Sequence, residues 1–347
     1  MTAATTATRL AEHTTFRVGG PAKKLITVDT ESELVDVVRS CDLADEPVLI
    51  IGGGSNLLIG DDGFDGTAIK INTRGRDAEV SSCSGAVVTL AAGESWDAVV
   101  ADAVAEGWSG IEPLSGIPGL VGATPIQNVG AYGAEISQTL ASVRTWDRAV
   151  AAQKTFAVSD CGFGYRWSRF KAEPDRYVIL SVTLQLPLAD LSAPIRYAQL
   201  ATSLGVEVGD RVDGRAVREA VLDLRRSKGM VLDADDHDTW SAGSFFTNPV
   251  IDAGAAAELP EAAPRYAQPD GAVKTSAAWL IDHAGFSKGY GSPPATLSTK
   301  HTLALTNRGG ASAADLITLA REIRDGVFAR FGIELEPEPN LINCSLR

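Results

Sequence analysis

The 347-residue sequence predicts a multidomain α+β protein, and three observations carry that reading. The chain exceeds the length one hydrophobic core usually supports, so two or three domains are expected. It opens with a strand, a helix and a second strand, an arrangement like that of nucleotide-binding folds in outline. Its middle, from about 140 to 188, is a series of strand-like runs, after which helices and short strands alternate.

Taken in order, "KKLITV" (23–28) reads as a strand, and "TESELVDVVRSC" follows as a helix with Thr30 and Glu33 at capping-box spacing. Leu34, Val38 and Cys41 share one face of that helix. "PVLII" is a buried strand that runs into the glycine loop "GGGSN". The segments "GTAIKI" and "AVVTLAAG" are β-rich, and a helix is expected from Ser95 as N-cap to Glu106, with Gly107 ending it. Residues 107–133 hold too much Gly and Pro for a long regular element and read as an ordered loop system. "ASVRTWDR", "KTFAVS" and "YVILSVTLQLPL" are strands, and a linker is expected near 190–205. A helix follows over "GRAVREAVLDLRRSK", with Val217, Val221 and Leu224 inward. "LDADDHDTW" (232–240) lacks the glycine turn and terminal glutamate of a calcium loop and reads as a solvated linker. Residues 252–271 read as a surface excursion and "TSAAWLIDHAG" as a short helix ended by Gly285. "KHTLALTN" is a strand, and "SAADLITLAREIRDGVFARFG" a long helix capped by Ser312 with Leu316, Ala320, Ile323 and Val327 inward.

Composition narrows the function classes. A hydrophobic fraction of 45% with 22% charged residues is that of a folded globular protein, and a net charge of −13 disfavours nucleic acid or anionic membrane as a partner. No apolar run reaches the ~18 residues of a membrane span, and the N-terminal residues lack a signal-peptide pattern. Cys41, Cys83, Cys161 and Cys344 form no CxxC pair, so no metal site is expected and the cysteines read as free thiols in a reducing, cytoplasmic compartment.

Several motifs carry chemistry with an ordinary alternative beside them. Gly52, Gly53 and Gly54 offer either a diphosphate cradle or a tight turn; the Rossmann third glycine and the P-loop Gly-Lys-Ser/Thr are both missing. "SGIPGLVGATPIQNVGAYG" is either an irregular connection or backbone wrapped round a flat, amide-rich ring. Taken alone, Arg166 reads first as a surface arginine, Glu338 as an exposed acid, and Ser244 as a turn or helix-cap residue. Ser244 lacks the G-x-S-x-G elbow of a nucleophile. Arg225, Arg226 and Lys228 in "LRRSKG" either bind a diphosphate or satisfy a helix end.

In conjunction, "HTTFRVGGPA" (13–22), "IIGGGSNLL" (50–58), "SGIPGLVGATPIQNVGAYGAE" (115–135), "YRWSRFK" (165–171), "GSFFTNP" (243–249), "AAWLID" (277–282) and "LEPE" (335–338) resemble the UDP-N-acetylenolpyruvoylglucosamine reductase family over almost the whole chain. The resemblance implies an FAD-binding domain of the vanillyl-alcohol-oxidase/p-cresol-methylhydroxylase type over 1–200, in two subdomains split near 60–70. A substrate-binding α+β domain over 201–330 and a C-terminal segment over 331–347 returning to the active site follow. It implies non-covalent FAD held by Gly52, Gly53, Gly54, Ser55, Asn56, Ser115, Gly116, Ile117, Pro118, Gly119, Gly122, Ala123, Thr124, Gly130 and Tyr132. NADPH is the implied co-substrate and a UDP-sugar the implied substrate, contacted by Tyr197, Lys228, Asn248 and His301. Catalysis falls to Arg166, Ser244 and Glu338, with Ser244 as proton donor. A cytoplasmic monomer in peptidoglycan precursor synthesis is expected. Pro339 and Asn340 stand where many relatives carry valine and arginine, which leaves a flavin contact at Asn340 open. An alcohol or sugar oxidase of the same fold and a flavin-free nucleotide-sugar binding protein are the alternatives.

Overall fold

A computed structural model describes residues 8–347; residues 1–7, the polar start of the chain, lie outside the described residues. The chain divides into two compact units. The first comprises Ala22–Gly53 and Asp65–Ser227, and the second 8–21, Gly54–Phe64 and Lys228–Arg347.

In the first unit, Pro21–Val28, Phe64–Ile71 and Val48–Ile51 are neighbours in one sheet, the last two paired in parallel with Val48 opposite Thr67. Helix Glu31–Leu43 forms the connection between strands, and its capping box is complete. Thr30 Oγ1 accepts from Glu33 N, and the Glu33 carboxylate accepts from Thr30 N. A five-stranded antiparallel sheet runs in the order Ala152–Ala157, Leu140–Asp147, Tyr177–Leu186, Gly85–Ala91, Arg76–Ser81. Alternation along Gly85–Ala91 buries Ala86, Val88 and Leu90 against helix Trp96–Ala105, whose Trp96, Val100 and Ala103 face the same core. Ser95 occupies the N-cap position of that helix, but its side chain makes no capping bond. Trp96 anchors the turn instead, donating from N to Gly119 O and from Nε1 to Leu114 O, both at 3.1 Å.

The first unit extends past the linker expected near 190–205. Helices Ala198–Leu204 and Gly214–Ser227 share a small core of Ile195, Leu200, Val217 and Val221, and the second is tied to helix Trp96–Ala105 by the forked Arg218–Asp97 pair. Leu224, expected inward, is half-buried; Arg225 is the residue of its turn that the helix buries.

The second unit is built round helix Ala313–Phe331. Ser312 caps it, and both Asp61 carboxylate oxygens accept from its first amides, Ala313 N at 2.8 Å and Ala314 N at 2.9 Å. Its face of Leu316, Ala320, Ile323 and Val327 packs with Phe16, Leu58, Phe245, Phe246, Leu280 and Leu297. Helix Ala277–His283 ends before Gly285, whose φ of 100° supplies the left-handed step. The terminal strand Asn340–Ile342 pairs in parallel with Leu57–Ile59.

The acidic stretch 232–240 is not the solvated linker expected of it. Asp238 is 4% exposed and accepts from Thr299 N, Thr299 Oγ1 and Arg308 Nη1, while Asp236 pairs with Lys300. The charge is neutralised by partners about sixty residues downstream, which is why local composition misreads it. Among the described residues no group of three or more His, Cys, Asp or Glu could hold a metal, and no helix is long and apolar enough to cross a membrane.

Candidate functional site

The glycine loops of the first unit press backbone to backbone. A Cβ at Gly53 would lie 2.7 Å from the Gly119 Cα, and one at Gly122 would lie 2.6 Å from the Ala92 Cβ, so neither position admits a side chain without displacement. Asp97 braces the second loop: Oδ1 accepts from Gly116 N at 2.6 Å and from Arg218 Nη1 at 2.6 Å, and Oδ2 from Arg218 Nη2 at 2.9 Å. Burial pushes the Asp97 carboxyl up, and the Arg218 fork, the Gly116 amide and the Arg225 charge outweigh that, leaving it below the usual range. Ser115 and Thr124 spend their hydroxyls within the loop, on Glu112 O and Val121 O, whereas Ile117, Pro118 and Gly119 are half-buried and Gly53 and Ala123 exposed. The result is a rigid shelf of nearly bare backbone. It fits the phosphates and the ring edge of a dinucleotide, which are recognised by main-chain groups where side chains leave room.

Arg166 stands at the end of this loop system. It lies in the tight turn where Gly164 and Trp167 exchange N–H···O bonds of 3.0 and 3.2 Å, and its own φ is 53°. Its Nη2 donates to Gly130 O at 2.7 Å, so the turn and the Gly130–Glu135 hairpin are joined through the guanidinium. Tyr132, in the same hairpin, meets the ring of Tyr197 edge-on at 5.5 Å. Burial raises the Tyr132 hydroxyl, and the charge of Arg225 opposes that rise. Arg225 is buried beside the shelf, its Nε within 3.4 Å of where a Gly116 Cβ would stand. Arg226 is exposed and paired with Asp223. Of the two adjacent arginines, only Arg225 therefore meets the loops.

The sequence reading missed Asn128. Its side chain is 1% exposed, and its Nδ2 donates to Gly164 O at 3.1 Å and Glu135 Oε2 at 2.9 Å while Oδ1 accepts from Ser137 N at 3.2 Å. The signal available was an asparagine among glycines, a residue that tolerates positive φ and bonds backbone in several directions.

In the second unit, the main chain lays the segment that follows Ser244 against that of Glu338, with Phe245 opposite Glu338. Glu338 N donates to Phe245 O at 2.8 Å, Phe246 bridges Pro337, and Thr247 N donates to Glu336 O at 3.0 Å. On its other side Phe245 N donates to Leu303 O at 2.7 Å, which sets the turn containing His301 next to the Ser244 segment. Ser244 lies outside any helix or strand, just after Gly243 (φ 74°), and neither a helix cap nor a nucleophile elbow is present. Phe245 and Phe246 are fully buried, their rings 5.0 Å apart, while Ser244 and Glu338 are half-buried. Asn56 donates from Nδ2 to Glu338 O at 3.3 Å and accepts at its carbonyl from Asn340 N at 3.0 Å, which ties the "GGGSN" loop to the terminal strand. Asn340 is exposed at the start of that strand.

The substrate-side candidates are placed unevenly. Asn248 Oδ1 accepts from Ala277 N at 2.9 Å and so holds the start of helix Ala277–His283. His301 is half-buried, with its N donating to Ser298 Oγ. Lys228, also half-buried, directly follows helix Gly214–Ser227, and Tyr197 is largely exposed apart from its contact with Tyr132.

Comparison with known proteins identifies the two parts separately. Residues 22–153 match the model of an FAD binding domain, and 235–342 match the UDP-N-acetylenolpyruvoylglucosamine reductase C-terminal domain. A UDP-N-acetylenolpyruvoylglucosamine reductase of Cutibacterium acnes is 60% identical over 97% of this chain and 90% of its own length; one of Streptomyces coelicolor is 54% identical over the same shares. The crystal structure of the Thermus caldophilus enzyme of that name covers 97% of this chain and 98% of its own, with 25% identity and a TM-score of 0.67. These matches fall on the loops, the hairpin and the Ser244 and Glu338 segments described above. The chain belongs to the UDP-N-acetylenolpyruvoylglucosamine reductase family, as a flavoenzyme of α+β fold.

Proposed function

We propose that this protein reduces the enolpyruvyl ether of UDP-N-acetylglucosamine to UDP-N-acetylmuramate with NADPH, in peptidoglycan precursor synthesis. The observation that carries the reading is the main-chain pairing that brings the segment of half-buried Ser244 to that of half-buried Glu338 beside two buried phenylalanines. Bound FAD would supply the two-electron carrier between NADPH and the enolpyruvyl double bond. Gly52–Asn56 and the 115–124 loop, with Gly130 and Tyr132, hold it through backbone.

Hydride addition builds negative charge on the carbon next to the substrate carboxylate, and it has to be stabilised where it develops. Arg166 offers the cation. Glu338 polarises the enolate with it. Ser244 Oγ delivers the proton to that same carbon, the one alpha to the carboxylate, and the Phe245 and Phe246 rings exclude competing water. Lys228, Tyr197, Asn248 and His301 serve the UDP-sugar, with Lys228 the cation for the diphosphate. The four free cysteines agree with a reducing cytoplasm.

The test is anaerobic. Purified protein is expected to be yellow and to bleach on NADPH, and the enolpyruvyl UDP-sugar should restore the oxidised flavin spectrum promptly. Reduced flavin that persists until air is admitted would instead support an oxidase, and colourless protein that takes up no FAD a binding module.

A further inference from the structure

The geometry points to Asn128 as the positioning residue that holds Arg166 in its working conformation. This rests on the proposed role of Arg166 and extends it to a side chain that meets neither substrate nor flavin in that scheme.

Arg166 has a positive φ of 53°, a conformation that strains a non-glycine residue. Such a conformation persists only when its surroundings over-determine it. Both flanks of Arg166 are fixed to one loop. Two residues before it, Gly164 O accepts from Asn128 Nδ2 at 3.1 Å; two residues after it, Ser168 Oγ donates to Ile126 O at 2.5 Å. Asn128 also fixes the other end of the Arg166 side chain. Through Glu135 Oε2 and Ser137 N it holds the hairpin whose Gly130 O receives the guanidinium. One buried amide therefore sets the backbone from which Arg166 departs and the carbonyl at which it ends. Asn128 has a φ of 47°, which asparagine tolerates, so the clamp adds little strain of its own.

Asn128→Gly keeps that backbone conformation and deletes the clamp. Pre-steady-state flavin spectroscopy of the FAD-loaded enzyme then separates the half-reactions. Bleaching by NADPH is expected to stay within about twofold of wild type, and reoxidation by the enolpyruvyl UDP-sugar to slow at least tenfold. In an Arg166→Ala background, Asn128→Gly should slow reoxidation no further, because the residue it positions is gone. Independently of activity, amide hydrogen exchange over 164–168 should accelerate in Asn128→Gly while exchange in strand Tyr177–Leu186 does not. Asn128→Asp, which keeps the acceptor and loses both donors, is read the same way if the glycine variant does not fold. Reoxidation within twofold of wild type, equal slowing of both half-reactions, or further slowing on top of Arg166→Ala would each overturn the inference. Arg166→Ala with wild-type reoxidation would overturn the proposed role of Arg166 itself, a separate failure.

Discussion

The two units place their reactive candidates by different means. In the first, Arg166 is fixed by side chains, with Asn128 and Ser168 on its flanks and its own guanidinium on Gly130 O. In the second, main-chain bonds join the segment that follows Ser244 to that of Glu338. Each arrangement is therefore vulnerable to a different change. Side-chain substitutions loosen the first arrangement, whereas the second yields chiefly to changes that force the backbone apart.

The largest stability effect should come from the backbone mesh of the second unit. Gly54 has a φ of 62°, its carbonyl accepts from Thr15 N, and a Cβ there would stand 1.8 Å from His13 O. Gly54→Ala should cost about 2–5 kcal/mol, the sum of overpacking and left-handed strain. Gly243→Ala, at φ 74° with open space around it, should cost only the strain, roughly 1–2 kcal/mol. Denaturant titration of both variants checks the contrast, and equal costs would remove close backbone approach as the reason for Gly54.

Next comes the side-chain exception in the second unit. Asp238→Ala removes a buried carboxylate that serves Thr299 and Arg308, and should cost roughly 1.5–3 kcal/mol by the same assay. Asp97→Asn, in the first unit, weakens a partly exposed pair and should cost about 0.5–1 kcal/mol. It should also speed amide exchange at Gly116, whose N–H the carboxylate accepts.

The smallest signal is in the pH dependence. Hydrogen bonding to Arg176 holds Asp147 below the usual carboxylate range; burial raises Asp238, but bonds from Thr299 and Ser298 and the charge of Arg308 bring it below that range as well. A depressed carboxylate contributes stability that is fully present above its unfolded pKa, about 3.9, and lost as pH falls through its folded value. Thermal stability should therefore fall on acidification below about pH 4. Asp147→Asn should flatten that fall, and an unchanged slope would remove Asp147 from it.

What was legible in the sequence is what local chemistry decides. Thr30 with Glu33, and Ser312 ahead of Leu316, announce their helices because caps and apolar spacing act within a turn or two. Gly53, Gly54, Gly116 and Gly122 announce ordered loops because their backbone needs room that a Cβ would fill. The features that escaped are set by distant partners. Asp238 reads as a solvated acid until Thr299 and Arg308 close on it, and Asn340 pairs with a strand that begins at Leu57. Asn128 sat within a motif already singled out, yet its work lies in bonds to Gly164 and Glu135 that spacing alone does not reveal. Ser244 is intermediate. Its flanking Phe245 and Phe246 foretold a dry wall, but the pairing of its segment with that of Glu338 depends on backbone bonds to a stretch far along the chain.

In the proposed mechanism Ser244 serves only the protonation of the reduced substrate. Stopped-flow spectroscopy of Ser244→Ala, loaded with FAD and kept anaerobic, tests it most directly by timing both half-reactions in one protein. Bleaching by NADPH should proceed at the wild-type rate, and reoxidation by the enolpyruvyl UDP-sugar should slow on the order of 10²–10⁴-fold. Reoxidation at the wild-type rate, or equal slowing of both steps, would contradict the claim.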